Sequence, residues 1–278
     1  MVIKSFSKIN LTLLVNSKSA NGLHEIQSIY CLINLFDSIK IKPILKKEDK
    51  IVFKGPFSKF IKRKDNSVLN LLKKLRQLKL ISGFYSITII KNVPIFAGLG
   101  GGTSNAAYIL KYLLKNKVKH TLINKLEKVV GSDLKLFSKK QGFLKNLKTI
   151  IEFKKKKSFC FVLIQPKIRC STKEVYSKVK NFSKKKNLKN SMFNSRVKFL
   201  KYLSKSRNDL QLVVEKKYPI IKKLISDISK EKGCYFSRMT GSGSVCYGVF
   251  RDKIFAKKAL NKLKNKYPKF WFSIAKTV

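Results

Sequence analysis

The sequence predicts an α+β protein built as two domains. Strand-like runs alternate with amphipathic helical runs through the first half. The second half ends in a strand, loop, strand, helix, strand order that suits a mainly antiparallel sheet. At 278 residues with 44 % hydrophobic content, the chain can fill more than one core, because single cores tend to split above roughly 250 residues. A loose boundary falls at the lysine run Lys154–Lys157. It separates an N-terminal domain, residues 1–156, from a C-terminal α+β domain, residues 157–278.

Taken in order, "SKINLTLLV" (Ser7 to Val15) and "SIKIKPIL" (Ser38 to Leu45) alternate as strands do. "KDNSVLNLLKKLRQL" is a helix with Asp65 or Asn66 at its start, and "FYSITIIKNV" is another strand. A glycine-rich loop follows. A helix from about Thr103 to Lys115 comes next, with Ala106, Ile109, Leu110, Leu113 and Leu114 on one face. Beyond "LINKLEKVVGSDLKLF" come the strand "FCFVLIQP", a helix near "TKEVYSKVKNF", a polar loop "SKKKNLKNS", and helices on either side of Pro219. The strand–loop–strand "YFSRMTGSGSVCYGVF", the helix "DKIFAKKALNKLKNKY" and the strand "FWFSIAK" complete the order. No repeat of 20–50 residues is evident.

Composition narrows the function classes. The longest apolar runs, such as Phe159 to Ile164, fall far short of the ~18 residues a membrane span needs. The first 15 residues mix basic and apolar positions without a signal-peptide core. A soluble, cytoplasmic protein is expected. Cys31, Cys160, Cys170, Cys234 and Cys246 are scattered without a C-x-x-C pair. With only His24 and His120 as histidines, they suit buried reduced thiols better than a zinc site or a disulfide framework.

The 63 Lys+Arg residues against 14 Asp+Glu give a formal charge of +49, which attracts anions at long range. The excess is nearly all Lys and comes with abundant Asn, Ile and Phe, residues that share A/T-rich codons. Base-reading surfaces favour Arg and exposed aromatics, and Arg is confined to positions 63, 76, 169, 196, 207, 238 and 251. Base composition therefore stands ahead of a nucleic-acid partner.

The stretch "VPIFAGLGGGTSNAAYIL" (Val93 to Leu110) is the most informative one. Glycines permit positive φ and remove the Cβ atoms that would keep a ligand off the backbone. A helix start adds unpaired N–H groups and a positive dipole end, which together suit phosphate. Thr103 and Ser104 are placed to cap the helix or to touch a phosphate or its magnesium. One or two glycines would serve a bare turn; four in five residues point to phosphate. The Walker pattern, G-x-G-x-x-G and the protein-kinase H-R-D are all absent.

The pattern P-x-x-x-G-L-G-G-G-[ST]-S-N-A-A resembles the second motif of the GHMP kinase superfamily. Its triple glycine with "SNAA" is most similar to the branch acting on a cytidine-diphosphate-linked methylerythritol. "SKINLTL", "NGLHEIQSIYCLINLFDSIKI", "GSDLKLF", "STKEVY" and "RMTGSGSVCYGVF" resemble the superfamily's other segments, in the same order and along essentially the whole chain. The resemblance implies a two-domain fold with the active site in the inter-domain cleft. It further implies ATP-dependent phosphorylation of that acceptor's 2-hydroxyl on a route to isoprenoid precursors. Homoserine- or mevalonate-type acceptors are the alternative within the class, and a basic nucleic-acid-binding protein retaining the fold is the alternative outside it.

Phosphoryl transfer needs a phosphate cradle, a cation between β and γ oxygens, and a base at the accepting hydroxyl. Asp133, which local sequence alone reads as a turn cap, matches the superfamily's catalytic base. Lys8, interrupting an otherwise apolar or small strand, is implied beside it, where it would polarise the hydroxyl. ATP is implied at Pro94, Gly98, Leu99, Gly100, Gly101, Gly102, Thr103 and Ser104, with Lys91 near phosphate and Asn66 near the adenosine. Gly241, Ser242 and Gly243, within Thr240–Ser244, form a second backbone-lined loop closing the phosphate site. On the acceptor side, His24 is implied to read the cytosine, Tyr30 and Tyr176 to pack about it, and Asn10 to lie near phosphate. Magnesium is carried mainly by ATP oxygens and water, with no all-protein metal site. Leu23 in place of Tyr, Leu134-Lys135 in place of Val-Pro, and "SKKQGFLKNLKTIIE" in place of a glycine-rich segment depart from the superfamily pattern.

Overall fold

The computed structural model describes residues 2–19, 22, 24–61, 65–188 and 195–278; the Leu23 departure lies outside the described residues. The chain divides into two compact units, each assembled from separate segments. One comprises Met1–Lys8, Leu35–Ile95 and Gly100–Lys140; the other comprises Ile9–Asn34, Phe96–Leu99 and Gln141–Val278. Grouping follows packing rather than chain order. Residues 9–34, 96–99 and 141–156, on the N-terminal side of the expected cut at 156/157, therefore join the C-terminal segment.

The expected strand "SKINLTLLV" is two strands, β1 (Ile3–Asn10) and β2 (Leu14–Lys18). The expected strand from Ser38 is only the end of β3, His24–Ile44, 21 residues long. An apolar run through Ile29, Tyr30, Cys31, Leu32 and Ile33, all buried, carries β3 upstream of Ser38 and hides the period-2 alternation that marks a half-exposed strand.

In the first unit, the end of β3 pairs antiparallel with β5 (Phe84–Ile90), Ser38 opposite Ile90. Strand β4 (Lys50–Lys54) runs parallel on its other side. Helices α1 (Ser67–Gln77), α2 (Gly101–Leu113) and α3 (His120–Val130) pack together, α1 touching both others. Each buries one stripe: Val68, Leu71, Leu72 and Leu75 from α1; Ala106, Ile109 and Leu110 from α2; Ile123, Leu126 and Val130 from α3. Burial of each such large aliphatic side chain contributes about 1.5–3 kcal/mol before entropy. Asn66 caps α1, its Oδ1 accepting from the N–H of Val68 and Leu69 at 3.2 and 3.0 Å.

In the second unit, the start of β3 pairs with β2 and with β6 (Gln141–Leu144), which continues to β7 (Ile150–Glu152). Strand β8 (Cys160–Gln165) belongs to a separate antiparallel sheet. Helices α4 (Thr172–Ser177), α5 (Arg196–Lys205), α6 (Asp209–Lys217) and α7 (Ile220–Ser229) follow. The expected helix near "TKEVYSKVKNF" is thus one and a half turns. Strand β9 (Cys234–Met239), β10 (Cys246–Phe250), α8 (Lys253–Lys266) and β11 (Trp271–Lys276) complete the unit. The four-stranded order is β11-β8-β10-β9, antiparallel throughout as expected; α7 and α8 pack against it.

Arg238 on β9 is 5 % exposed, yet its guanidinium meets backbone carbonyls rather than a carboxylate: Leu11, Leu203 at 2.9 Å, and Ser206. It lies 4.9 Å from the Phe236 ring. Of the five free cysteines, Cys31, Cys170 and Cys246 are buried as expected, whereas Cys160 and Cys234 are half-buried.

Candidate active site

In the first unit, Lys8 sits near the end of β1 and is 2 % exposed. Its Nζ lies 3.0 Å from Asp133 Oδ2, and the aspartate side chain retains 29 % exposure. One carboxylate oxygen is thus held by a buried cation while the group still reaches solvent, as a base meeting a bound hydroxyl must. The Asp133 backbone is fixed too: its carbonyl accepts from Leu136 N–H at 3.0 Å as the short 3₁₀ turn Leu134–Ser138 begins.

The start of α2 is built onto this pair. Gly100, at φ 70°, occupies the cap position, and Ser104 N–H bonds Gly100 C=O at 2.8 Å. The N–H groups of Gly101, Gly102 and Thr103 precede that ladder and are the orphan donors an anion can meet. A Cβ on Gly100 would stand 3.0 Å from Phe137 Cζ and 3.2 Å from Lys8 Cε, so glycine here allows the lysine stem to pass beneath the helix start. Thr103 abuts Gly131, two residues before Asp133. The helix start from Gly100 to Thr103, Lys8 and Asp133 are brought together within one unit.

The capping expectation for Thr103 and Ser104 is corrected. Gly100 caps α2 without a side-chain bond, and the helix starts two residues early, at Gly101. Ser104 is fully buried; its hydroxyl donates to Phe6 C=O at 2.6 Å and meets Ser5 Oγ at 2.7 Å. Lys91 is also sealed, 2 % exposed, in an ion pair with Asp37, itself fully buried. Burial pushes the Lys91 ammonium down from the usual lysine range, opposed by the charge and hydrogen bond of Asp37. Ser67, next to the Asn66 cap, faces Gly102 in α2, with its Oγ 3.6 Å from a Cβ placed there.

In the second unit, the two glycine loops run backbone to backbone. Ser244 N–H bonds Phe96 C=O at 2.9 Å, Val245 N–H bonds Ala97 C=O at 3.3 Å, and Thr240 Oγ1 donates to Gly98 C=O at 3.4 Å. Asn208 Nδ2 donates to the carbonyls of Met239 and Gly241, and Ser242 Oγ meets Thr172 Oγ1 at 2.9 Å. Asn10 joins through its N–H to Thr240 Oγ1 at 3.0 Å and through Nδ2 to Ser28 Oγ at 2.8 Å. Gly98 has φ 70°, and a Cβ there would run into the Thr240 carbonyl. Gly98→Ala is expected to lower stability by at least about 2 kcal/mol in urea unfolding, from left-handed strain plus this clash; an unchanged midpoint would sink that reading.

His24 opens β3. Its ring centroid lies 5.1 Å from Tyr176 and 6.5 Å from Phe182. Burial, then the charge of Lys18, pushes the imidazole below its usual 6.5. Tyr30 does not join this cluster. It lies six residues along β3, about 20 Å at strand rise. It is fully buried in the core, its hydroxyl without a hydrogen-bond partner among the described residues.

Residues 64–133 match the family model of the GHMP kinases N terminal domain, and residues 185–269 match that of the GHMP kinases C terminal. The 4-diphosphocytidyl-2-C-methyl-D-erythritol kinase of Pelagibacter ubique (strain HTCC1062) is 38 % identical over 99 % of this chain and 98 % of its own length. The chain belongs to the 4-diphosphocytidyl-2-C-methyl-D-erythritol kinase family. The protein of the same name from Wolbachia pipientis wMel as that of Pelagibacter ubique is 32 % identical over 97 % of this chain and 96 % of its own length. A crystal structure of 4-(cytidine 5'-diphospho)-2C-methyl-D-erythritol kinase superposes with TM-score 0.73 at 22 % identity, covering 99 % of both chains. Homoserine kinase from Cytophaga hutchinsonii shares the fold at TM-score 0.68 and 14 % identity, over 98 % of this chain and 94 % of its own.

For a kinase of this family, two residues escape the sequence reading. Phe182, 47 % exposed beside His24, lies past the end of α4 in a segment tied to β2 and β3 by Ser183 N–H to Val15 C=O and Lys186 N–H to Gln27 Oε1, both 2.7 Å. A lone aromatic in a lysine-rich stretch was its only signal. Asp37 lies in the segment "NGLHEIQSIYCLINLFDSIKI" that resembles the superfamily, but its pairing with Lys91, 54 residues away, had no signal.

Proposed function

We infer that the chain is an ATP-dependent kinase phosphorylating the 2-hydroxyl of 4-diphosphocytidyl-2-C-methyl-D-erythritol, a step of the methylerythritol phosphate route to isoprenoid precursors. The observation that carries it is the Lys8–Asp133 pair set against Gly100 at the start of α2. A carboxylate base and an anion-binding helix end are the two parts that transfer to an alcohol requires.

In this reading the triphosphate lies on the N–H groups of Gly101, Gly102 and Thr103. Asp133 accepts the hydroxyl proton, and Lys8 holds the carboxylate and polarises the hydroxyl. In this reading magnesium would be held mainly by ATP oxygens and water. The chemistry such an ion would supply is neutralisation of charge on the β and γ oxygens. No helix among the described residues is long and apolar enough to cross a membrane, and we place the kinase in the cytoplasm.

His24, Tyr176 and Phe182 form the cytosine-reading surface, a polar edge flanked by two rings. His24→Ala is expected to raise the acceptor KM by about tenfold or more, with ATP KM within twofold, since a lost buried hydrogen bond costs roughly 1–3 kcal/mol. Because the imidazole titrates below 6.5, it reads the base in its neutral form. Acceptor KM should be flat above that pH and rise as pH falls through the imidazole's titration; a flat profile in wild type would remove His24 from base reading. The function itself is tested by ADP release from purified protein with and without the cytidine diphosphate substrate. Release supported by homoserine or mevalonate instead would move the chain to another branch. Salt-dependent RNA binding without acceptor-dependent release would overturn the kinase reading.

A further inference from the structure

Among the described residues, the first unit pairs lysine with aspartate at Lys8–Asp133, which reaches solvent through Asp133, and at Lys91–Asp37, which does not. Asp37 and Lys91 are sealed, at 0 % and 2 % exposure. A buried ion pair is seldom worth more than an apolar pair of the same volume, so stability alone does not call for one here.

The bonding of Asp37 shows what the pair holds. One carboxylate oxygen takes the Lys91 ammonium; the other accepts from Asn92 N–H at 2.7 Å and Val93 N–H at 2.8 Å. All three donors lie in consecutive residues, where the chain leaves β5 and enters Pro94 and the glycine loop. Both Lys91 and Val93 then bear on Gly101, the first residue of α2. Lys91 Nζ is 3.5 Å, and Val93 Cγ1 3.0 Å, from a Cβ placed on that glycine. A continuous line of contact thus runs from Asp37 through residues 91 and 93 to the helix start.

We propose that Asp37 is a positioning residue for nucleotide binding, clamping Lys91–Val93 against Gly101 so that the N–H groups opening α2 keep the spacing a triphosphate requires. The proposal rests on the kinase reading above. Asp37 itself touches no phosphate. It acts through Lys91, whose charge lies beneath the positive end of the helix, and through the backbone that seats Val93.

Asp37→Asn separates the roles, because the amide oxygen still accepts from Asn92 and Val93 while the charge that orients Lys91 is gone. Isothermal titration of the full chain with magnesium-ATP, together with steady-state kinetics, reads the outcome. ATP Kd and KM are expected to rise about tenfold, with acceptor KM within twofold and a smaller change in kcat. A merely structural staple would lower the melting temperature and leave the ratio of the two KM values unmoved. Should Asp37→Asn not fold, Asp37→Asn with Lys91→Met removes the stranded ammonium, and the same selective rise in ATP Kd is expected. ATP affinity within twofold of wild type in a folded variant overturns the role of Asp37. Wild-type protein that binds no magnesium-ATP overturns the kinase reading, and the proposal with it.

Discussion

Asp133→Asn is expected to cut kcat by about a thousandfold, the scale at which a positioned general base acts, while ATP affinity stays within about threefold. The asparagine keeps the shape of the carboxylate and can still accept from Lys8 Nζ, now 3.0 Å away, so the seat of Lys8 under Gly100 survives. What it loses is the ability to take a proton. Loss of kcat with binding preserved identifies an interaction made only in the transition state. Single-turnover ADP release with saturating acceptor, beside isothermal titration with ATP, measures both quantities. Turnover within tenfold of wild type would remove Asp133 as the base.

Arg238→Met should be the most damaging change away from the reaction. The substitution keeps much of the apolar stem near Phe236 but strands the carbonyls of Leu11, Leu203 and Ser206 that the guanidinium gathers. Charge-assisted bonds are worth roughly 1.5–3 kcal/mol each when made, and an abandoned buried acceptor costs about 1–3 kcal/mol. With part of that recovered by relaxation, a net loss of about 3 kcal/mol is expected, or about 10 °C in melting temperature for a chain of this size. Arg238→Lys should recover little, because a single ammonium cannot reproduce the fork. A melting temperature within 2 °C of wild type in the methionine variant would overturn this account.

Features with a short-range chemical signature were legible in the sequence. Asp65 or Asn66 ahead of an apolar period-3.6 run marked α1, four glycines before a helix marked the loop ahead of α2, and "RMTGSGSVCYGVF" marked β9 and β10. Alternation failed where both faces are covered, so the long apolar start of β3 was not seen as part of one strand. Helix α3 also escaped: Lys119 stands at its cap position with no side-chain bond, leaving no start signal. Within the candidate site, Lys8 and Asp133 were placed through motif resemblance, since nothing local distinguishes one lysine among so many. The Asp37–Lys91 pair and the approach of Phe182 to His24 arise from tertiary packing, which leaves no mark on neighbouring residues.

The scattered membership of the two units bears on how the chain is made. Leu13 bridges to Asn208, and Ser28 lies opposite Leu144, so the second unit waits on partners synthesised more than a hundred residues later. High sequence separation slows folding through loop-closure entropy. An N-terminal fragment leaving the ribosome therefore carries the apolar run Ile29–Ile33 uncovered for much of translation.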